Sequence, residues 1–320
     1  MTDTNTMNDA TRTTEANDSS TAGERLVLYE FYTSKNFLAA QLFPAAERLP
    51  IELETSADEL LERWPDDRDQ LLFQVNLSLT AGVPAARRRL LDTLQERGVF
   101  VLNASVDDIR KSTLHRLLDR LGLPSAAAAR DGDPDERVMV KTDCNYGGIY
   151  EHSLDPELRR RLGILETDAP ITDWSEYQCL RRADVDPAWW DDPSLVIERY
   201  IDNHEGRFYR TYRAGDHVTI IEAYGSGTIK KVSGGPRDIN YTATLERLRE
   251  IDADGALPLA LVRLVDRFFC GAGLDFGSID IMDDGAGGLF IVDLNDTPYG
   301  GQMVVGSEAT AHLRRGLDSY

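Results

Sequence analysis

The chain has 320 residues, long enough for a substantial core divided into two or three subdomains. A net charge of −20 leaves little basic surface for phosphate backbones, which opposes a general role on DNA or RNA. No apolar run approaches the roughly 18 residues that a membrane helix needs, and no basic-then-apolar leader opens the chain. Cys144, Cys179 and Cys270 have neither metal nor disulfide spacing, so a cytoplasmic protein without membrane contact is expected. Lysine occurs only at Lys35, Lys111, Lys141, Lys230 and Lys231, and each therefore calls for a reason.

Residues 1–23 are Thr, Asn, Asp and Ser with almost no apolar content, and a disordered tail is expected there. From residue 24 to 104, strands are predicted at Leu26–Phe31, Ile51–Glu54, Leu71–Asn76 and Val99–Asn103. Helices are predicted at Asp58–Trp64 and Pro84–Arg97. Strands alternating with helices make a small parallel α/β unit. No G-x-G-x-x-G follows the first strand, so a dinucleotide fingerprint is missing.

Leu114, Leu117, Leu118 and Leu121 recur at helical spacing between Ser105 and Gly122, and Gly122 and Pro124 close that helix. Lys111 then sits in its first turn, where the helix dipole favours an anion. Arg137–Lys141 reads as a strand ending in lysine. It runs into Asn145-Tyr146-Gly147-Gly148, a loop whose glycines let backbone N–H groups approach a phosphate. The stretch from His152 to Asp192 reads as helical or irregular, with Trp174, Trp189 and Trp190 assigned to packing.

Leu195–Ile201 is an apolar strand. Arg207–Tyr212 and Val218–Tyr224 form a hairpin about Ala214-Gly215-Asp216. Lys230 and Lys231 precede a Gly-Gly-Pro turn, and helices are predicted at Thr244–Glu250 and Leu257–Cys270.

The most informative stretch follows. Ile279–Met282 and Leu289–Asn295 are apolar, β-branched runs separated by an Asp/Gly cluster, which reads as a hairpin. Alternation puts Asp293 and Asn295 on one face, and Asp280 can lie beside them across the hairpin. Two carboxylates and an amide oxygen are hard ligands of the kind Mg²⁺ takes. A solvated acidic hairpin would read the same way in isolation, and the segments upstream decide between the two. His115, His152, His204, His217 and His312 show no metal spacing.

In order, these segments resemble the ATP-grasp superfamily from about Ser105 to the C-terminus, and carboxylate–amine ligases in particular. The resemblance rests on Lys111, on Lys141 with Asn145, Gly147 and Gly148, and on the Glu198-Arg199-Tyr200-Ile201 strand. Gly206-x-x-x-Arg210 and the closing Asp280…Asp293-x-Asn295-x-Thr297-Pro298 complete it. It implies an α/β plus α+β architecture: residues 24–104 as an N-terminal α/β domain, 105–198 as the small ATP-grasp subdomain, and 199–320 as the C-terminal subdomain with the metal site.

The resemblance further implies that Lys111 and Lys141 bind the ATP phosphates and that Asn145, Gly147 and Gly148 close over them. Glu198, Arg199, Tyr200 and Ile201 would bind adenine, mostly through backbone groups, and Glu205 would hold the ribose. Asp202-Asn203 departs from the usual acidic position there. Asp280, Asp293 and Asn295 would hold one or two Mg²⁺, with Mn²⁺ as a substitute. Arg210, Lys230 and Lys231 would serve the γ-phosphate or an acidic intermediate. The implied reaction activates a small-molecule or peptide carboxylate as an acylphosphate and joins it to an amine. A small-molecule kinase and a non-catalytic ATP-binding module are the alternatives.

Overall fold

The computed structural model describes residues 23–33, 35–164, 171, 173–203, 205–229, 235–250, 257–300, 307–318 and 320. The expected tail up to residue 22, His204, Lys230 and Lys231 lie outside the described residues.

The first unit is a parallel sheet. Strand β1 (Leu26–Phe31) leads through α1 (Leu38–Leu42) to β2 (Glu47–Pro50), and through α2 (Ala57–Glu62) to β3 (Gln70–Val75). Helix α3 (Arg87–Glu96) connects to β4 (Phe100–Leu102), and the strand order is β2-β1-β3-β4, all parallel. Strands β1 and β3 are almost wholly buried, which explains their continuous apolar runs. The second strand is Glu47–Pro50 rather than the expected Ile51–Glu54. At the sheet edge a proline can end a strand without losing a ladder bond. Ile51 and Leu53 are buried beyond the strand end instead.

Helix α4 (Lys111–Leu121) buries Leu114, Leu117 and Leu118 and ends at Gly122, whose φ of 59° is a left-handed cap. Strand β5 (Arg137–Thr142) follows, then a 3-10 turn over Asn145–Gly148, α5 (Ile149–Ser153) and α6 (Pro156–Arg161). Strands β6 (Gln178–Arg181) and β7 (Leu195–Arg199) flank β5 antiparallel, in the order β6-β5-β7. β6 fell within the stretch expected to be helical or irregular. Trp189 and Trp190 pack on this sheet's core, as expected.

The largest sheet has five strands: β8 (Arg207–Ala214), β9 (His217–Tyr224), β10 (Gly235–Thr244), β11 (Phe276–Asp283) and β12 (Leu289–Asn295). Their order is β10-β9-β8-β11-β12, with every pair antiparallel. Helices α7 (Leu245–Glu250), α8 (Leu259–Ala272) and α9 (Glu308–Arg315) complete the chain. β10 and α9 were not anticipated. Phe268, Phe269 and Val265 of α8 pack with Leu118 of α4 against Ile279, Ile281 and Ile291 of the sheet, forming one core.

Two contacts fix the parallel unit to the five-stranded sheet. Leu313 and Leu317 bury against Leu28 and Leu72 on one side and Tyr212 and Phe276 on the other. Both leucines are essentially solvent-free, contributing on the order of 2 kcal/mol each. Asn103, just past β4, accepts from the Asp275 N–H (2.7 Å) and the Phe276 N–H (2.9 Å) and donates to the Phe276 carbonyl (2.7 Å). The carboxyl ends of the parallel strands are thereby turned toward the polar face of β8, β11 and β12.

Candidate functional site

The register of three adjacent strands builds a small grid of polar side chains. Asp280 on β11 lies directly opposite Arg210 on β8 and Asp293 on β12. Two residues earlier, Ser278 lies opposite Tyr212 and Asn295. Opposed residues of an antiparallel pair, and residues two apart, share a face, so the six form two rows on one side of the sheet. All six line a single cavity of about 540 Å³. An irregularity in register after Asp280 pairs Ile281 with Ile291, which keeps both carboxylates in the same row while the apolar face stays in the core.

Other walls come from elsewhere in the chain. Asn76 and Ser78 reach the cavity from the carboxyl end of β3, where open α/β sheets present their ligands. Asn145 and Tyr146 approach from the turn after β5. Ser78 Oγ accepts from the Asn145 N–H at 2.7 Å, and Asn145 Nδ2 donates to the Leu294 carbonyl at 2.6 Å. Asn145 Oδ1 is buried with no hydrogen-bond partner among the described residues, leaving an acceptor for a ligand donor.

The charges are arranged closely. Arg210 grips Asp280 through two bonds, Nε to Oδ1 at 2.6 Å and Nη2 to Oδ2 at 2.9 Å. Burial alone would lower the Arg210 pKa, but the Asp280 charge and its hydrogen bond raise it, so the guanidinium stays charged. Asn295 Oδ1 accepts from the Thr297 N–H at 2.9 Å, and the Thr297 hydroxyl lies 3.3 Å from that oxygen and 3.4 Å from Asn76 Oδ1.

As a metal site the set is sparse. No cluster of three or more His, Cys, Asp or Glu suited to a metal exists among the described residues. The two rows offer two carboxylates and an amide oxygen, while Glu151, the third carboxylate on the cavity wall, accepts from the Ser78 N–H. The set in the rows suits Mg²⁺, which uses one or two carboxylates and completes its shell with water and phosphate oxygens. The donor chemistry therefore fits a hard divalent ion, although both Asp280 oxygens already accept from Arg210.

The remaining expected residues sit differently. Lys141 and Glu198 form a buried ion pair on neighbouring strands, and His115 Nε2 lies 3.2 Å from the same carboxylate. Burial pushes the Glu198 pKa up, yet Lys141 and His115 outweigh it and bring it down to about 2. None of these three lines the cavity.

Lys111 is buried, with its ammonium donating to the Cys144 carbonyl and lying over the Tyr177 ring. The helix N-terminus expected to attract phosphate is filled from within the chain: Asp143 Oδ1 accepts from the Ser112 N–H at 2.7 Å and Oδ2 from its hydroxyl at 2.8 Å. The Gly147 N–H, expected on a phosphate, donates to the Tyr177 hydroxyl at 3.0 Å. Gly148 is buried beside it, at φ 80°.

The strand at Glu198–Arg199 is engaged on both edges, pairing with β5 on one side and with Ala126–Ala128 on the other. Backbone contact with a base would have to begin beyond Tyr200, whose N–H donates to the Arg137 carbonyl at 2.9 Å. The Arg199 side chain lies over Phe290, Ile201 is half-buried, and Glu205 is exposed, 4.0 Å from Arg207. Asn203, where an acidic ribose contact is usual in the family resembled, instead closes the loop by donating to the Arg207 and Asp283 carbonyls.

Several cavity residues escaped the sequence reading: Asn76, Ser78, Tyr146, Tyr212 and Ser278. A polar Asn immediately after a buried parallel strand was the available signal for Asn76. Trp174, expected to be packing, also borders the cavity.

No protein-family model matches the chain, and no curated protein matches it significantly. Solved structures do match. The ATP-grasp ligase PsnB complexed with a phosphomimetic variant of minimal precursor, Mg and ADP superposes with a TM-score of 0.52 at 12% identity, covering 93% of this chain and 98% of that one. PsnB with precursor peptide PsnA2 and AMPPNP gives 0.50 at 13% identity, covering 92% and 98%. D-cycloserine synthetase DcsG gives 0.50 at 12% identity, also covering 92% and 98%.

Proposed function

From the premise that this chain has the ATP-grasp fold, with a parallel α/β unit ahead of the antiparallel sheets, we propose that it is a Mg-ATP-dependent carboxylate–amine ligase. The observation that carries this reading is the row Arg210–Asp280–Asp293, with Asn295 in the next row, facing one half-open cavity. On this reading residues 24–104 supply one wall of the cleft, 105–198 the small subdomain and 199–320 the metal-bearing subdomain. Each contributes to the cavity, through Asn76, Asn145 and Asp293 respectively.

Asp280, Asp293 and Asn295 would hold Mg²⁺, which would neutralise phosphate charge when bound. Arg210, kept charged beside them, orients the γ-phosphate and the carboxylate that attacks it. A carboxylate oxygen bonds to the γ-phosphorus and ADP leaves. An amine then attacks the acyl carbon, the C–O bond to phosphate breaks, and a proton is lost from nitrogen. Lys141, on the strand leading to the Asn145 turn, is assigned to the nucleotide phosphates, which it would meet outside this cavity and at the expense of its pairing with Glu198. Lys111 acts through its hold on the Cys144 carbonyl at the start of that turn. Lys230 and Lys231 keep their expected roles as cations toward the phosphate, and Glu205 its role at the ribose.

The test is isotopic. With ¹⁸O-labelled carboxylic acids, Mg-ATP and a panel of amines, one labelled oxygen should appear in the released phosphate. ADP formation with the label retained in the acid, and phosphate joined to a hydroxyl, would establish a kinase instead. Mg-ATP binding without turnover of any acid would leave a binding module.

A further inference from the structure

We propose that the molecule whose carboxylate is activated carries an aromatic ring, seated between two aromatic walls at the outer end of the cavity; the carboxylate part of this inference rests on the ligase reading above. One wall is Tyr146 with Trp174 and Tyr150, at ring-centroid distances of 6.1 and 6.4 Å from Tyr146. The other is Phe37 against Tyr299, whose rings lie edge to face at 6.1 Å. All five border the same cavity as Arg210 and Asp293.

Three observations separate this from ordinary surface aromatics, which are common singly. Among the described residues three large hydrophobic side chains are exposed, Tyr32, Tyr146 and Tyr299, and two of them border this one cavity. Tyr146 is exposed while its backbone is held at φ 50°, ψ 33°, a left-handed conformation that is uncommon for a side-chain-bearing residue. The constraint is visible: Gly147 is so close to Asp173 and Trp174 that a Cβ there would overlap their backbone, and its N–H is tied to Tyr177. The turn therefore spends conformational energy to present a tyrosine face to open space.

The second aromatic group on the same cavity comes from distant parts of the chain. Phe37 and Tyr299 form an antiparallel bridge, secured by the Leu38 N–H to the Pro298 carbonyl at 2.8 Å. Aromatic side chains and charged groups lining one cavity favour a ligand that is flat and apolar at one end and charged at the other. The cavity volume of about 540 Å³ suits a small aromatic acid beside phosphate groups, or the aromatic terminus of a longer molecule.

The test measures binding separately from turnover. L-phenylalanine, 3-phenylpropionate and indole-3-acetate are titrated into the full chain with Mg-ADP, against L-alanine, hexanoate and L-glutamate, by calorimetry and saturation-transfer NMR. At least tenfold tighter binding of the aromatic acids is expected. Tyr146→Ala and Tyr299→Ala, both exposed and cheap to fold, should each weaken it at least fivefold with ADP affinity within twofold of the parent. Tyr146→Phe should restore it. Equal affinity for aromatic and aliphatic acids, no aromatic binding while Mg-ADP binds, or indifference to both alanine variants would overturn the proposal. Aromatic binding without ¹⁸O transfer would keep the ring seat and remove the ligase chemistry.

Discussion

Arg210 and Asp280 face each other across β8 and β11, and both oxygens of the carboxylate are taken by one guanidinium. The pair is nearly buried, so its two members stand or fall together. Removing one partner leaves the other charge uncompensated, which costs on the order of 3–5 kcal/mol for buried pairs. Asp280→Asn and Arg210→Met are each expected to destabilise the fold on the order of 3 kcal/mol in urea unfolding. The double variant Arg210→Met/Asp280→Leu should recover most of that loss while showing no turnover. Single variants within about 1 kcal/mol of the parent would show that the pair is not structurally coupled.

The Lys141–Glu198–His115 cluster gives a pH dependence with a definite sign. The Glu198 pKa is depressed from its ordinary 4.5 to about 2, so the folded state binds the proton less readily than the unfolded chain. Its contribution to stability is therefore complete above about pH 4.5 and is lost as pH falls from there through about 2. That shift corresponds to on the order of 3 kcal/mol at neutral pH. Glu198→Gln should lower stability at pH 7 and flatten the acid limb of the stability curve between those values. An unchanged slope there would show that other carboxylates govern acid unfolding.

Glycines 147 and 163 both hold positive φ, at 74° and 69°, but only one is crowded. Nothing lies within 4 Å of a Cβ added at Gly163, so Gly163→Ala should cost only the left-handed penalty, roughly 1–2 kcal/mol. Gly147→Ala adds overlap with the Asp173–Trp174 backbone and must displace the turn that carries Asn145 and Tyr146. It should be the more destabilising by at least about 2 kcal/mol. Thermal unfolding of the two variants side by side decides this, and equal losses would show that the turn relaxes freely.

The acidic hairpin was legible because strand alternation and an Asp/Gly turn are local signals, and the register only had to place Asp280 beside Asp293. Asp284 shows why the turn read so clearly, since its carboxylate accepts from the Ala286 and Gly288 N–H groups at 2.8 and 2.7 Å. The parallel unit was legible for a similar reason, being built of buried apolar strands. β10 was hidden by Pro236, Asp238 and Asn240, residues that signal turns and are tolerated because the strand is at a sheet edge. α9 carries little periodic apolar content; its Ser307 cap and the burial of Leu313 between two sheets make it a helix. Lys111 was placed correctly in the first turn of α4, but the acid at that helix end comes from Asp143, and no local pattern announces a partner so far along the chain. Tyr146 was unreadable for a different reason. Its importance lies in a backbone angle, which a sequence of residue types does not display.

Asn103 supplies the last prediction, because one side chain there substitutes for a strand edge. Its amide accepts from two consecutive N–H groups, at Asp275 and Phe276, and donates to the Phe276 carbonyl. Its own N–H donates to the Asp275 carboxylate at 3.1 Å, and its φ of 55° lies where Asn is better tolerated than most residues. Asn103→Ala removes all three side-chain bonds and leaves buried backbone groups without partners, a loss on the order of 3 kcal/mol. Asn103→Asp keeps an acceptor but sets a carboxylate against Asp275 and the Phe276 carbonyl. Burial already raises the Asp275 pKa, despite opposition from Arg213 and the Asn103 N–H, so a second acid there should be poorly ionised and destabilising at neutral pH. The aspartate variant should therefore regain stability relative to the alanine variant as pH falls toward 4, since protonation restores a donor for the carbonyl. Parallel unfolding curves for the two variants across that range would mean the Asn103 side chain does not hold the parallel sheet to β11.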